Sequence, residues 1–275
     1  MDLTEDEVLD QQVEQICELL NRQLGFSYGP QKKYLIFARL DKRLKELNLT
    51  SYQDYLALLE HNQAELNRFY ALLTTNVTYF FREAKQFQAL EQDILPLITK
   101  SHQVDHKIRC WSAGCSSGEE PYTLAIILQE ILAAAWDIKI LATDISELKL
   151  EEGMAGIYDY ERIQGVPTGL RNKYFMPVTD LANHFQVKPE LRNAVLFRKT
   201  NLIEDFDFPS HIIFDMIFCR NVFIYLAKES REKAVNGFYN CLHEKGYLFL
   251  GLSESIDTYA DPRWYPNKGA IYRKK

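Results

Sequence analysis

The stretch 111–121, "WSAGCSSGEEP", sets two glycines beside two carboxylates. A strand-like run, "KIRCW", leads into it, and a helical run, "YTLAIILQEIL", follows. Strand–glycine–helix turns usually offer backbone N–H groups to a phosphate. Here Glu119 and Glu120 stand where the helix should begin, and two carboxylates there repel a phosphate. Gly114 and Gly118 would let backbone approach a ligand closely. A second apolar run, "IKILATD", ends in Asp144, an acid suited to a pair of ribose hydroxyls. A third, "FDMIF", ends in Cys219, Arg220 and Asn221. If these runs are parallel strands, their ends share one crevice.

Charge narrows the ligand. A dinucleotide would satisfy the loop and Asp144, but its pyrophosphate would meet Glu119. S-adenosylmethionine carries a sulfonium and an amino group and no phosphate, so a carboxylate attracts it. Glu119 is therefore the candidate ligand contact. Glu120 reads as a first-turn acid that suits the helix dipole. The loop by itself does not name an enzyme, because glycine turns of this kind have many uses.

The surrounding elements must place these ends together. Residues 1 to about 90 read as helices: apolar positions recur at helical spacing in "VEQICELLNRQLG", "QKKYLIFARLDKRLKELNL", "TSYQDYLALLEHN" and "AELNRFYALLTT". Gly25 is a natural stop, and Thr50 or Ser51 a natural cap. From about residue 107, short apolar strands alternate with helices, which signals a mostly parallel sheet. The strands are "KIRCWSA", "IKILATD", "FDMIFC", "GYLFLGL" and "AIYRK". Between 170 and 200, "KYFMPV", "HFQVKP" and "AVLFRKT" read as short antiparallel strands of a β insertion. The expected plan is α/β: a helical domain with its linker over 1–85, then a Rossmann-like sheet over 86–275 carrying the β subdomain.

Bulk composition limits the function classes. A net charge of −6 over 275 residues argues against general nucleic-acid binding. The five cysteines form no CxxC pair, so they read as reduced core thiols, and no metal site is expected. No run resembles a leader peptide or a membrane span. The expectation is a soluble cytoplasmic monomer that does not insert into the membrane.

Taken together, "LLTTNVTYFFRE", "IRCWSAGCSSGEEPYTLAI", "ATDIS", "NL" at 201–202, "FDMIFCRNVFIYL" and "GYLFLGLSES" resemble the chemotaxis receptor methyltransferase (CheR) family. The segments run in the family's order and span nearly the whole chain. The resemblance implies methyl transfer from S-adenosylmethionine to glutamate side chains of membrane chemoreceptors, giving methyl esters. It implies cofactor contacts at Asn76, Thr78 and Arg82 in the linker, at Glu119 after the glycine loop and at Asp144 for the ribose. It also implies Asn201 and Leu202 beside the adenine, Cys219 and Arg220 at the strand tip, and Tyr225 a turn later. Phe80 and Phe81 read as linker packing, and Asn221 as a residue that orients its loop.

The chemistry needs few groups. A glutamate carboxylate has a reference pKa of about 4.3, so at pH 7 it is already a nucleophile and needs no general base. His61, His102, His106, His184, His211 and His243 all lie outside the motifs. Arg82 is expected to position the carboxylate, and Tyr225 to hydrogen-bond it. On the helix "KKYLIFARLDKRLKEL", Arg39, Lys42 and Arg43 fall at i, i+3 and i+4, a basic face that would suit acidic receptor helices. In some family members a glycine-containing loop of the β subdomain grips a receptor C-terminal pentapeptide. The corresponding stretch, "PVTDLANHFQV", has no glycine, so such tethering is expected to be weak or absent. Two alternatives stay open: a methyltransferase for another substrate, and a sensory module that binds S-adenosylmethionine without turnover.

Overall fold

The computed structural model describes residues 5–27, 30–74, 77–204, 206, 208 and 212–275, and for 5–9 and 30–35 the backbone alone. Four helices come first: α1 (Glu5–Leu24), α2 (Pro30–Leu47), α3 (Tyr52–His61) and α4 (Gln63–Leu73). Gly25 ends α1 with φ of 66°, a left-handed cap that suits glycine. Ser51 Oγ accepts from Asp54 N–H at 3.1 Å and starts α3; Asn62 Oδ1 accepts from Glu65 N–H at 3.0 Å and starts α4. The inward stripes meet through Ile16, Leu20, Ile36, Leu40, Tyr55 and Phe69, all essentially buried. This core does not close on itself. It continues through Leu24 and Phe26 to Phe223, Leu226 and Trp111, so the helical domain and one face of the sheet share one core.

After the linker, α5 (Ala84–Ala89) runs through a π turn (Leu90–Ile94) into α6 (Leu95–Ser101). The sheet then begins with β1 (Lys107–Ala113), α7 (Glu119–Ile131) and β2 (Asp137–Asp144). The chain leaves through α8 (Glu147–Ala155) into a small antiparallel sheet. That sheet contains β3 (Ile157–Asp159), β4 (Phe175–Pro177) and β5 (His184–Val187), in the order β3-β5-β4. Short helices α9 (Tyr160–Ile163) and α10 (Thr168–Tyr174) lie between β3 and β4. The chain returns by α11 (Pro189–Arg192) to β6 (Val195–Lys199) and β7 (Phe214–Cys219). It finishes with α12 (Lys228–Cys241), β8 (Leu242–Leu250), β9 (Trp264–Asn267) and β10 (Ile271–Lys274). The main sheet runs β6-β2-β1-β7-β8-β10-β9. Its pairings are parallel from β6 to β8, and β10 and β9 are antiparallel additions.

Two expectations are corrected. The β subdomain begins at Ile157 and its last strand ends at Val187, earlier than the expected 170–200. "AVLFRKT" is no part of it: Val195–Lys199 pairs in parallel with β2, Ile140 opposite Val195 and Asp144 opposite Lys199. A short strand at a sheet edge alternates exposed and half-buried residues, as a hairpin strand does. Its partner is therefore not readable from its pattern.

Candidate active site

Strand order reverses at β1, which lies between β2 and β7. A cavity opens beside the carboxyl ends of these three strands. The glycine loop, the linker and the loop after β7 each contribute to it, with Leu24 and Phe26 from the end of α1.

The glycine loop is held from below. Gly114 and Cys115 donate their N–H groups to Thr143 O at 2.7 and 2.9 Å, at the end of β2. Gly114 has φ of 82°, and a Cβ there would lie 2.5 Å from Val222 Cγ2, so the loop can approach the β7 loop only as glycine. Ser116 donates its N–H to Asp144 Oδ2 at 2.8 Å, and Ser146 donates to Oδ1 at 2.9 Å. Asp144 is 8% exposed. Burial pushes its carboxyl up from the ordinary value, while these backbone N–H groups oppose the rise. Two amides thus fix its orientation on the cavity wall, and a carboxylate oxygen can accept more than one hydrogen bond.

The two acids of the loop exchange the places expected of them. Glu119 does not line the cavity. It is fully buried, accepts from Ser117 Oγ at 2.9 Å and pairs with Arg162 of the β subdomain. Tyr158 donates its hydroxyl to Ser117 O at 2.6 Å, and the Arg162 guanidinium lies 4.8 Å from the Tyr158 ring centre. Glu120 lines the cavity instead. It accepts from Ser112 Oγ at 2.7 Å and lies 3.5 Å from Arg220 Nε. Successive helical residues point about 100° apart, so only one of two adjacent acids can face a given side. Gly118, with φ of 95°, enters the helix at a rotation that gives that side to the second acid. Burial pushes the Glu120 carboxyl up, and Arg220 and Ser112 oppose the rise.

From the linker, Thr78 and Arg82 line the cavity. Arg82 Nη1 donates to Val77 O at 2.6 Å, and its guanidinium lies 5.9 Å from the Tyr79 ring centre. Phe81 takes a left-handed φ of 59° and donates its N–H to Thr123 Oγ1 at 3.1 Å, which pins the linker to α7. Phe80 is buried between Tyr158 and Phe175, with ring centres 5.1 and 5.3 Å away, so it packs the linker onto the β subdomain. Asn76 lies outside the described residues. Asn201 and Leu202 also line the cavity. Asn201 donates its side-chain amide to Gln23 O at 2.7 Å and to Glu204 at 2.9 Å, so it ties this loop to the end of α1.

After β7, alternation decides which residues reach the cavity. Cys219 is the last strand residue, fully buried in the core, and burial pushes its thiol well up. Its side chain is not among those that line the cavity. Arg220, Asn221, Val222 and Tyr225 line the cavity. The Arg220 side chain is 2% exposed, with Nε 3.4 Å from Glu83 Oε2 and 3.5 Å from Glu120 Oε2. Its Nη2 donates to Arg82 O. Tyr225 O accepts from Ser27 N–H at 2.8 Å, and Gly25 O from Ala227 N–H at 2.7 Å. The end of α1 therefore fixes the Tyr225 turn.

Sequence reasoning missed Glu83 and Phe26 and misplaced Glu120. A helical-wheel reading anchored on the buried face of α7 could have separated Glu119 from Glu120. No sequence signal points to Phe26, which arrives from another domain.

The basic face of α2 is partly engaged within the helical domain. Arg39 Nη1 donates to Leu72 O and Leu73 O at 3.1 and 3.2 Å. Arg43 forms a two-point pair with Glu65 at 2.9 and 2.5 Å, and Glu65 also accepts from Tyr55 Oη at 2.9 Å. Both arginines hold α2 to α4. Lys42 and Lys45 are exposed. Lys32 and Lys33 lie outside the described side chains.

The cavity suits a cationic donor with amino and carboxylate ends. Ser116 Oγ and Arg220 Nη1 are buried polar atoms with no hydrogen-bond partner among the described residues. Glu120 and Asp144 supply acids on the same wall. Among the described residues no histidine lines this cavity. Among the described residues no group of three or more metal-ligating side chains gathers, and no helix is long and apolar enough to cross a membrane.

Two family models match in chain order: the CheR methyltransferase all-alpha domain over residues 11–74, and the CheR methyltransferase SAM binding domain over 76–269. The chain is 38% identical over 263 residues to a chemotaxis protein methyltransferase of Borreliella burgdorferi, covering 93% of this chain and 90% of that one. It is 37% identical over 257 residues to a chemotaxis protein methyltransferase of Salmonella typhimurium, covering 90% and 85%. With the protein of the same name from Escherichia coli it shares 35% over 254 residues, covering 90% and 85%.

Proposed function

The chain belongs to the CheR methyltransferase family and is an S-adenosylmethionine-dependent methyltransferase of chemotaxis; from that premise we propose that it methylates glutamate carboxylates of membrane chemoreceptors, forming methyl esters. The observation that carries the reading is the side-chain inventory of the cavity: among the described residues it holds Arg82 and Arg220, Tyr79 and Tyr225, and no histidine, and its two acids are already engaged, Glu120 by Ser112 and Arg220 and Asp144 by two backbone amides. Methylation of a nitrogen or a hydroxyl often needs a base to remove a proton. A carboxylate, with a reference pKa of about 4.3, needs none at pH 7.

When bound, S-adenosylmethionine supplies an electrophilic methyl group. The chain's own residues do the rest. Asp144 would hold the ribose hydroxyls, with Leu202 beside the adenine. Glu120 would hold the amino group and Arg220 the carboxylate, with Ser116 Oγ as a further donor. Thr78 and Arg82 would close the linker over them. Arg82 and Tyr225 would orient the incoming carboxylate and strip it of water. Arg82 Nη1 is already committed to Val77 O, which limits how tightly it could pair with the nucleophile and blunt it. Glu119 and Cys219 have no direct part in this reading.

On the receptor side, Lys42 and Lys45 are the exposed cations among the described side chains of α2 that remain for an acidic partner. Pentapeptide tethering is read as weak or absent, since the β4–β5 connection has no glycine, although Asn183 adopts a left-handed φ of 58° there. Titration calorimetry with the pentapeptide checks this, and micromolar binding would contradict it. The central experiment incubates the protein with methyl-labelled S-adenosylmethionine and receptor-bearing membranes. Label on the receptor, released by base as methanol, is expected. Label absent from every receptor tested would overturn the substrate assignment.

A further inference from the structure

The loop after β7 carries Arg220, Asn221 and Tyr225, yet its shape is not set by its own side chains. Asn221 sits at φ of 61°, a left-handed conformation that, glycine aside, asparagine adopts more readily than most residues. One buried carboxylate holds it there. Glu254 follows β8 on the neighbouring strand's loop and is 6% exposed. Its Oε2 accepts from Asn221 N–H at 2.9 Å and from Gly251 N–H at 2.6 Å. Its Oε1 accepts from Ile224 N–H at 3.2 Å.

The partners are backbone amides at both ends of the cavity-lining turn. A carboxylate is the side chain that suits this duty, because both of its oxygens are acceptors only. Space is tight as well: a Cβ at Gly251 would lie 2.8 Å from both Glu254 Oε2 and Asn221 Nδ2. Burial pushes the Glu254 carboxyl up, and the loop's N–H groups oppose the rise by stabilising the charged form.

We propose that Glu254 is a positioning residue for methyl transfer. It clamps Asn221 and Ile224 so that Arg220 and Tyr225 hold their places on the cavity wall. This rests on the role given to Tyr225 above. Its two oxygens have separable duties, Oε2 on the Arg220–Asn221 side and Oε1 on the Tyr225 side. Glu254 lies outside the cavity lining, so it acts through the backbone and not by contact with either substrate.

The Glu254→Gln variant separates these duties. Gln keeps one acceptor, which the pair of N–H groups from Asn221 and Gly251 retains, and turns an amide N–H₂ toward Ile224 N–H. The bond to Ile224 is lost and the Tyr225 turn loosens. The expected result is kcat down about 10- to 100-fold, the range a displacement of about 1 Å costs, with the Kd for S-adenosylmethionine within about threefold of wild type. Amide hydrogen exchange of 222–226 should quicken while that of β1 and β2 stays unchanged. Wild-type kcat together with wild-type exchange at 222–226 would overturn the proposal. If the Gln variant does not fold, Glu254→Asp serves. Its carboxylate is one methylene short and cannot span both ends, so the same loss in kcat and the same local exchange are expected, and wild-type values of both overturn it. The exchange measurement needs no substrate. If wild type itself labels no receptor, the substrate reading fails while the clamp is still tested.

Discussion

Arg220 Nε lies 3.5 Å from the Glu120 carboxylate, and the pair joins α7 to the loop after β7 across one side of the cavity. Glu83 is the second carboxylate on the same guanidinium, at 3.4 Å. Arg82 also lies close enough to act on Glu120, so it is Asp144, the third acid, that leaves these groups one negative charge in excess, which suits a cationic ligand and disfavours a pyrophosphate.

Glu120→Gln should raise the Kd for S-adenosylmethionine about 10- to 100-fold, as expected for one lost charge-assisted contact of roughly 1.5–3 kcal/mol. Glu119→Gln should leave it within about threefold, since Glu119 faces Arg162 away from the cavity. The wild-type Kd should worsen as pH falls, because burial places the Glu120 pKa above its usual value and only the ionised form attracts the ligand. Calorimetry between pH 5 and 8 on the three proteins checks both the magnitude and the sign. Equal losses in the two variants would refute the separation of roles.

Arg82→Ala and Tyr225→Phe should each lower kcat at saturating cofactor by about tenfold or more, since each removes an orienting contact worth on the order of 1–2 kcal/mol. Initial rates of receptor labelling are the measure. Turnover at the wild-type level in both would remove them from the mechanism.

Arg43→Ala should destabilise the helical domain by about 3 kcal/mol, because it strands the buried Glu65 carboxylate without its cation. Lys42→Glu, on the exposed side of the same helix, should leave the melting temperature within about 1 °C and raise the KM for receptor. Thermal melts and receptor titrations separate the two. A KM that ignores Lys42 would take the helix out of docking.

His102 bridges Asp215 at 2.8 Å and Asp105 at 3.0 Å, joining the end of α6 to the start of β7. Burial pushes its pKa down, but Asp215 and Asp105 outweigh burial and hold it above 6.5. A raised native pKa makes the charged form stabilising. That contribution is complete below about pH 6.5 and is lost as pH rises through the native value. The melting temperature should therefore fall more steeply above pH 6.5 in wild type than in His102→Gln. Parallel pH profiles of the two would remove the bridge as the cause.

Much of this protein was legible in its sequence. Helical spacing marked α1–α4, Gly25 and Ser51 marked their ends, and the apolar runs marked β1, β2, β7, β8 and β10, because these signals are local. The acids near the glycine loop announced a cationic ligand for the same reason: charge at a helix start is visible without a fold. Tertiary structure decided what local pattern cannot hold. Rotation about the α7 axis chose Glu120 over Glu119 for the cavity. Strand alternation put Arg220 on the wall and Cys219 in the core. Long-range pairing moved Val195–Lys199 from the β subdomain to the main sheet. It also brought Phe26 to the cavity and Glu254 beneath the loop after β7. Each of these depends on which groups lie opposite one another in space, and a chain read in one dimension does not contain that.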